Sequence, residues 1–389
     1  MSTTNVDVAI VGGGVIGLAT AWRLAQRGQH VCVVDPAPAE AASRAAAGML
    51  APVSEVTYGE TALLTLAMES ISRYPEFVAE LEAATGTVIG LRREGTLMVA
   101  TDAGDRAQLV ELHAFQAKLG LSATMLTSKE CRALEPMMSP DVRCALLVES
   151  DHSVDNRRLT VALIAVLEAH PVEIIRQRVA SVKIVDDTAT GVVLDNGDAV
   201  AAGTVILAAG PWTGEVAGIP AEARTPVRPV KGQIMRLRAH SPTPFPTYSI
   251  RGLVNGHEIY LVPRADGEVV VGATVEEVGF DTTIRAGAVR EMLRDARAVI
   301  PGVDELELVE VSAAMRPGSP DNAPIIGATA TEALIVASGH HRNGILLTPI
   351  TADLVAAVVT DTATHQDLEL LHAVSPQRFD RANLIESNR

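Results

Sequence analysis

Gly12, Gly14 and Gly17 form a Gly-x-Gly-x-x-Gly run that follows the apolar stretch Val6 to Val11 and opens a segment of helical spacing, Val15 to Arg27, with Ile16, Ala19 and Leu24 on one face. Strand, glycine turn and helix in that order leave little freedom of fold. The first glycine makes the tight turn, the second admits a pyrophosphate, and the third lets helix and strand pack closely, with the anion at the helix N-terminus. A second apolar run, His30 to Asp35, completes a βαβ unit, and the Asp35 carboxylate at its end can accept hydrogen bonds from the ribose hydroxyls of an adenosine. NAD and FAD share this unit, so it predicts a dinucleotide without choosing between them.

Further along, periodicity predicts helices over Glu60 to Thr85 (interrupted near Pro75), Asp102 to Leu119, Thr127 to Leu134, and from an Asp155 N-cap through Ala169. Strands are expected over Val172 to Arg176, Val179 to Val185 and Gly191 to Leu194, with Asn196-Gly197 as a hairpin turn, and over Thr204 to Ala208. Near Pro226 the pattern changes to alternating strands (Gln233 to Arg238, Glu258 to Val262, Glu268 to Val271, Leu306 to Ser312) with a helix over Ala286 to Val299. From Arg316 onward glycine-punctuated apolar runs return, and Gly344 to Val359 reads as a core helix. The fold class expected is α/β: a Rossmann-like dinucleotide domain with a mostly parallel sheet, and an inserted α+β substrate domain on a largely antiparallel sheet. The expected boundaries are 1–90, 145–225 and 313–389 for the first, 91–144 and 226–312 for the second.

A net charge of −15 excludes the concentration of Lys and Arg that nucleic acid or an anionic membrane surface requires. Cys32, Cys131 and Cys144 form no CxxC pair, so neither a disulfide framework nor a metal site is expected. Free thiols and an N-terminus without a basic, apolar leader pattern predict a cytoplasmic protein.

Four further stretches choose the cofactor. Arg44-Ala-Ala-Ala-Gly-Met49 follows the second strand, Val205-Ile-Leu-Ala-Ala-Gly210 closes a late one, and Arg316-Pro-Gly318 precedes Gly339-His-His-Arg-Asn-Gly-Ile-Leu346. Together with Pro229-Val-Lys-Gly-Gln233, Tyr260-Leu-Val-Pro-Arg264 and Val270-Val-Gly-Ala-Thr274, they make most of the chain resemble the glycine oxidase, sarcosine oxidase and D-amino-acid oxidase family, and thiamine-pathway glycine oxidases in particular.

The resemblance implies non-covalent FAD between the two domains. It places Gly12, Gly14, Val15, Ile16, Gly17, Asp35, Ser43, Ala47, Gly48, Met49, Val179 and Gly210 around the cofactor, with His340, His341, Arg342, Asn343, Gly344, Ile345 and Leu346 along the isoalloxazine. Arg316 resembles the family's carboxylate-binding arginine, and a guanidinium fork suits a planar carboxylate. Tyr260 resembles the tyrosine that assists it, and Arg342 a second arginine at the substrate edge. Lys231 and Gln233 are expected to be strand residues without a catalytic role. The activity implied is oxidation of glycine, sarcosine or a small D-amino acid, with O2 as acceptor, giving imine or glyoxylate, ammonia and hydrogen peroxide, in a homotetramer serving thiazole synthesis. Three alternatives stand beside it: a dehydrogenase passing electrons to a quinone or partner protein, a non-catalytic FAD-binding subunit, and a nicotinamide-binding module.

Overall fold

The computed structural model describes residues 3–240 and 246–379. Its first sheet is built outward from Thr3–Val11, which runs parallel to Val31–Val34 on one side and to Ala199–Leu207 on the other. Val172–Ile175 extends it beyond Val31–Val34, while Leu334–Ser338 and then Ile325–Ala328 extend the opposite edge. Parallel strands joined through helices must be covered on both faces, which is why they read as unbroken apolar runs. Val8, Ile10, Val31 and Val33 face a core shared with helices Val15–Gln26, Thr61–Thr85, Asn156–Leu167 and Thr348–Val359. Ala9, Val11, Cys32 and Val34 face the other, beside the antiparallel strands Val179–Val185 and Thr188–Leu194.

The second sheet runs in the order Glu307–Gly318, Arg228–Arg238, Glu268–Gly272, His257–Pro263, Ser249–Val254, Thr96–Ala100, Cys144–Val148, Thr124–Thr127. All its pairs are antiparallel except Ser249–Val254 with Thr96–Ala100. Because strand side chains alternate between faces, Met235, Leu237, Leu261, Val269 and Val271 pack under helix Ala286–Val299. Ile234, Tyr260, Val262 and Val270 point the other way, against Ala45, Ala47 and Met49 in the segment that follows Val31–Val34. That small apolar contact is where the two sheets meet.

Several expectations are corrected. Helix Thr61–Thr85 passes through Pro75 without interruption. A proline in a helix interior costs about 3 kcal/mol, but Tyr74, Phe77, Val78 and Leu81 around it are all buried, so packing outweighs the lost backbone bond. The core helix begins at Thr348, with Pro349 in its first turn, and not at Gly344; residues His341–Asn343 form a single 3₁₀ turn instead. Two strands of the second sheet, Cys144–Val148 and Glu307–Gly318, run through positions 145 and 313. Among the described residues, no helix is long and apolar enough to cross a membrane.

Candidate active site

A deep cleft lies between the sheets, and most of the residues expected around a flavin line it. Gly12, Gly14, Val15, Ile16 and Asp35 form one end. Ser43, Ala47, Gly48, Met49 and Gly210 form the walls, and Tyr260, Arg316, His340, His341, Arg342, Gly344 and Ile345 form the other end. Gly17, Val179, Asn343 and Leu346 do not line it. Gly17 packs against the Gly12 carbonyl, Val179 against the apolar layer behind the first sheet, and Leu346 sits in the helical core with its carbonyl accepting from Ser70 Oγ (2.6 Å). Asn343 is buried within the 3₁₀ turn.

At the dinucleotide end the turn is held open. Asp35 accepts from the Gly13 and Ala37 backbone N–H groups (both 2.7 Å), which use one lone pair of each carboxylate oxygen and leave the others for a ribose. A Cβ at Gly12 would overlap the Ala208 backbone, so the close approach of strand and turn requires glycine there. Ser43 Oγ accepts from Val15 N–H (2.9 Å) at the helix start. These are the features of a dinucleotide cradle, and the residues present fit FAD: a glycine turn opening a helix, an acid at the ribose position and an apolar cleft continuing to the second sheet.

Two buried arginines that sequence reasoning left without a role fix the wall. Arg264 donates to the carbonyls of Val154 (2.8 Å) and Ala47 (2.5 Å), and Arg236 to that of Arg44 (3.2 Å) and to the Glu268 carboxylate. Asn156 joins them, donating to the carbonyls of Ser43 (2.7 Å) and Arg44 (3.0 Å) and accepting from Arg264 (3.2 Å). Burial pulls the Arg264 guanidinium down to about 10, the cost of serving carbonyls without a carboxylate in direct contact. The second sheet thereby grips the loop that lines the cofactor end of the cleft.

At the far end, Arg316 reaches sideways along its sheet over Gly232, and Tyr260 lies over Gly272; a Cβ at either glycine would overlap the side chain above it. Arg316 Nη1 donates to the carbonyls of Thr274 (3.0 Å) and Lys231 (3.4 Å), which aim the fork, and the Tyr260 phenol lies beside the same guanidinium. Burial raises the Tyr260 phenol against the lowering influence of Arg316, so it stays protonated and able to donate. Lys231 and Gln233 make no contact with the cleft. Lys231 Nζ donates to Thr283 O (2.5 Å), while Gln233 donates to Glu276 (2.7 Å) and accepts from Arg285 N–H (2.7 Å), so both pin the loop that carries Thr274. We expect Gly232→Ala to keep FAD and the fold, since only a flexible side chain is displaced, but to raise KM for a carboxylate-bearing amine roughly tenfold or more by moving Arg316 off its carbonyls. Steady-state kinetics of the yellow variant checks this, and an unchanged KM would show that Arg316 has a second productive rotamer.

Arg342 sits at the edge, its Nη2 donating to Glu55 O (3.4 Å) and Thr57 Oγ1 (3.3 Å) and its Nε near the Glu55 carboxylate (3.6 Å). Glu55 also pairs with Arg251, and neither was singled out from sequence although both line the cleft. The backbone before Glu55 is fixed by the buried Asp151, which accepts from Val53 and Ser54 N–H (both 3.2 Å). The two histidines are neutral. Burial lowers His340 to about 3, and its Nε2 meets Thr351 Oγ1 (3.0 Å). Burial and then the charges of Arg316, Arg342 and Arg228 lower His341 to about 4.

The comparisons agree with this geometry. The model of the DAO family, described as FAD dependent oxidoreductase, matches residues 7–358. The chain is 36% identical, over 97% of its length, to the bifunctional protein ThiO/ThiG of Synechocystis sp., of which it spans only 55%. It is 33% identical, over 94% of its length, to the glycine oxidase of Geobacillus kaustophilus and covers 96% of that protein. The structure of glycine oxidase from Bacillus cereus superposes with a TM-score of 0.85 at 29% identity, covering 95% of this chain and 98% of the other. Cradle, cleft and family match together establish that the chain belongs to the DAO family of FAD dependent oxidoreductases, with FAD as its cofactor.

Proposed function

We propose that this chain is a flavin-dependent oxidase of glycine and related small amines, sarcosine and small D-amino acids among them, with O2 as acceptor. The observation that carries the reading is the pair of Arg316 and Tyr260 laid over Gly232 and Gly272 in the cleft, a guanidinium fork beside a phenol, the donor set that suits a carboxylate. Bound FAD would supply a hydride acceptor for the substrate Cα–H and return the electrons to O2. The chain's part is orientation. Arg316 and Tyr260 would fix the carboxylate through charge-assisted bonds, leaving the amine and Cα to face the cofactor end. With His340 and His341 held down at about 3 and 4, neither is basic enough to take a proton from an ammonium, so the amine has to enter unprotonated, and kcat/KM is expected to rise with pH until the free amine predominates. The likeness to ThiO/ThiG supports a product imine consumed in thiazole synthesis, and the likeness to glycine oxidase supports the imine, glyoxylate, ammonia and hydrogen peroxide outcome.

With this reading go a division into two domains that share the cleft, non-covalent FAD, a cytoplasmic location and a homotetramer. The test is anaerobic bleaching of the yellow protein with glycine, sarcosine, D-alanine, D-proline and L-alanine, followed by air. Bleaching by glycine or sarcosine with rapid return of colour is the expected result. Bleaching without return assigns a dehydrogenase with a quinone or protein acceptor, and no bleaching by any amine assigns a non-catalytic FAD-binding subunit.

A further inference from the structure

We propose that Arg251 is a second anion subsite in the cleft and that Glu258 is the carboxylate that closes it, so that this chain discriminates against amines carrying two carboxylates. The inference rests on the reading that Arg316 and Tyr260 take the first carboxylate. Arg251 is the cross-strand partner of Tyr260, and Glu258 precedes Tyr260 by two positions, so all three share the sheet face that lines the cleft. The two edges of the Arg251 guanidinium meet carboxylates of unequal standing. Nη1 is held by Glu55, whose side chain is 12% exposed and which Arg342 shares. Nη2 donates to Glu258 Oε2 at 3.2 Å, and the Glu258 side chain is 68% exposed.

Glu55 is fixed through its neighbours by Asp151, whereas among the described residues Arg251 is the one charged partner of Glu258, at the mouth of the cleft. Because its Glu258 side stands in solvent, this arm of the pair contributes little and exchanges more readily than the Glu55 arm. A second carboxylate tethered to an amine already held on Arg316 arrives at high effective concentration, and a guanidinium edge is shaped to receive it. Charge decides what the resting arrangement prefers. Arg251, Arg316 and Arg342 face Glu55 and Glu258, leaving one positive charge, which a single substrate carboxylate neutralises. A second one is repelled until Glu258 leaves the Arg251 edge.

The experiment uses a matched pair of ligands that are not substrates: methylthioacetate with one carboxylate, and thiodiacetate with two. Each is titrated into the yellow holoenzyme, and Kd is read from the flavin absorbance change. The wild type is expected to favour methylthioacetate. Glu258→Ala is expected to shift the ratio of the two Kd values by about tenfold or more toward thiodiacetate, and Arg251→Gln added to it to abolish the shift. Equal tightening of both ligands, which a general loss of negative charge would produce, overturns the proposal, as does a shift that survives Arg251→Gln. Glu258 is exposed, so its variant should fold, and its flavin content verifies this. The titration needs no turnover; a failure to oxidise glycine would therefore strike the oxidase reading and leave this one standing or falling by itself.

Discussion

Arg316→Ala is expected to stay yellow and to lose about 10²- to 10⁴-fold in kcat/KM toward glycine or sarcosine, because two charge-assisted bonds of about 1.5–3 kcal/mol each disappear from the bound carboxylate. Flavin should be retained, since the side chain is anchored to the carbonyl of Lys231 on the second sheet and that of Thr274 in the loop beside it, and takes no part in the cradle around Gly12. Arg316→Lys should recover only a fraction of the loss: a lysine keeps the charge but cannot present a fork, and an ammonium would have to reach across Gly232 to the same spot. Steady-state kinetics with a carboxylate-free amine of similar size supplies the control. A variant that loses activity toward both amines equally has lost the geometry of the cleft; one that loses it only toward the amino acid has lost the clamp. Unchanged kinetics would remove Arg316 from the site altogether.

The sequence carried much of this in uneven measure. The βαβ start was legible because its signal is local: a glycine turn, an apolar run on each side and an acid at the second strand's end lie within one short stretch. The cap at Asp155 was legible for the same reason, and its side chain accepts from the Arg157 and Arg158 N–H groups. The strand Ser249–Val254 was not. It contains Gly252 and a polar Arg251, and its pattern becomes intelligible only once Tyr260 lies opposite it. Thr96–Ala100 and Cys144–Val148 are short apolar runs that periodicity alone cannot assign to strand or helix. In the site, Arg316 and Tyr260 could be found through the strings that hold them, but what makes them a clamp is the absence of side chains at Gly232 and Gly272 on neighbouring strands. The Arg251–Glu55 pair joins residues 196 positions apart and no local pattern announces it. Asn156 is likewise only the first residue after a helix cap until Arg236 and Arg264 converge on it.

Gly17 offers the sharpest test of how the cradle is built. Gly17→Ala is expected to cost at least about 3 kcal/mol of stability and to yield protein depleted in FAD, although Gly17 itself does not line the cleft. The added methyl would overlap the Gly12 carbonyl oxygen, a backbone atom that cannot swing aside. Relief requires the helix Val15–Gln26 to draw away from the strand Thr3–Val11. That movement carries Gly14 and Val15, which do line the cleft, away from the Asp35 side of the cradle. Gly287→Ala is the control with the opposite sign. Gly287 lies in the helix Ala286–Val299 with open space where a Cβ would stand. Alanine there removes unfolded-state freedom without a clash and should stabilise by up to about 1 kcal/mol. Thermal melts and flavin-to-protein absorbance ratios of the two variants separate the explanations. If Gly17→Ala loses stability but keeps its flavin, the cradle tolerates a shifted helix and the dinucleotide is held chiefly by the wall that Arg264, Arg236 and Asn156 secure. If flavin and stability fall together while Gly287→Ala gains, the third glycine acts through close packing of helix on strand.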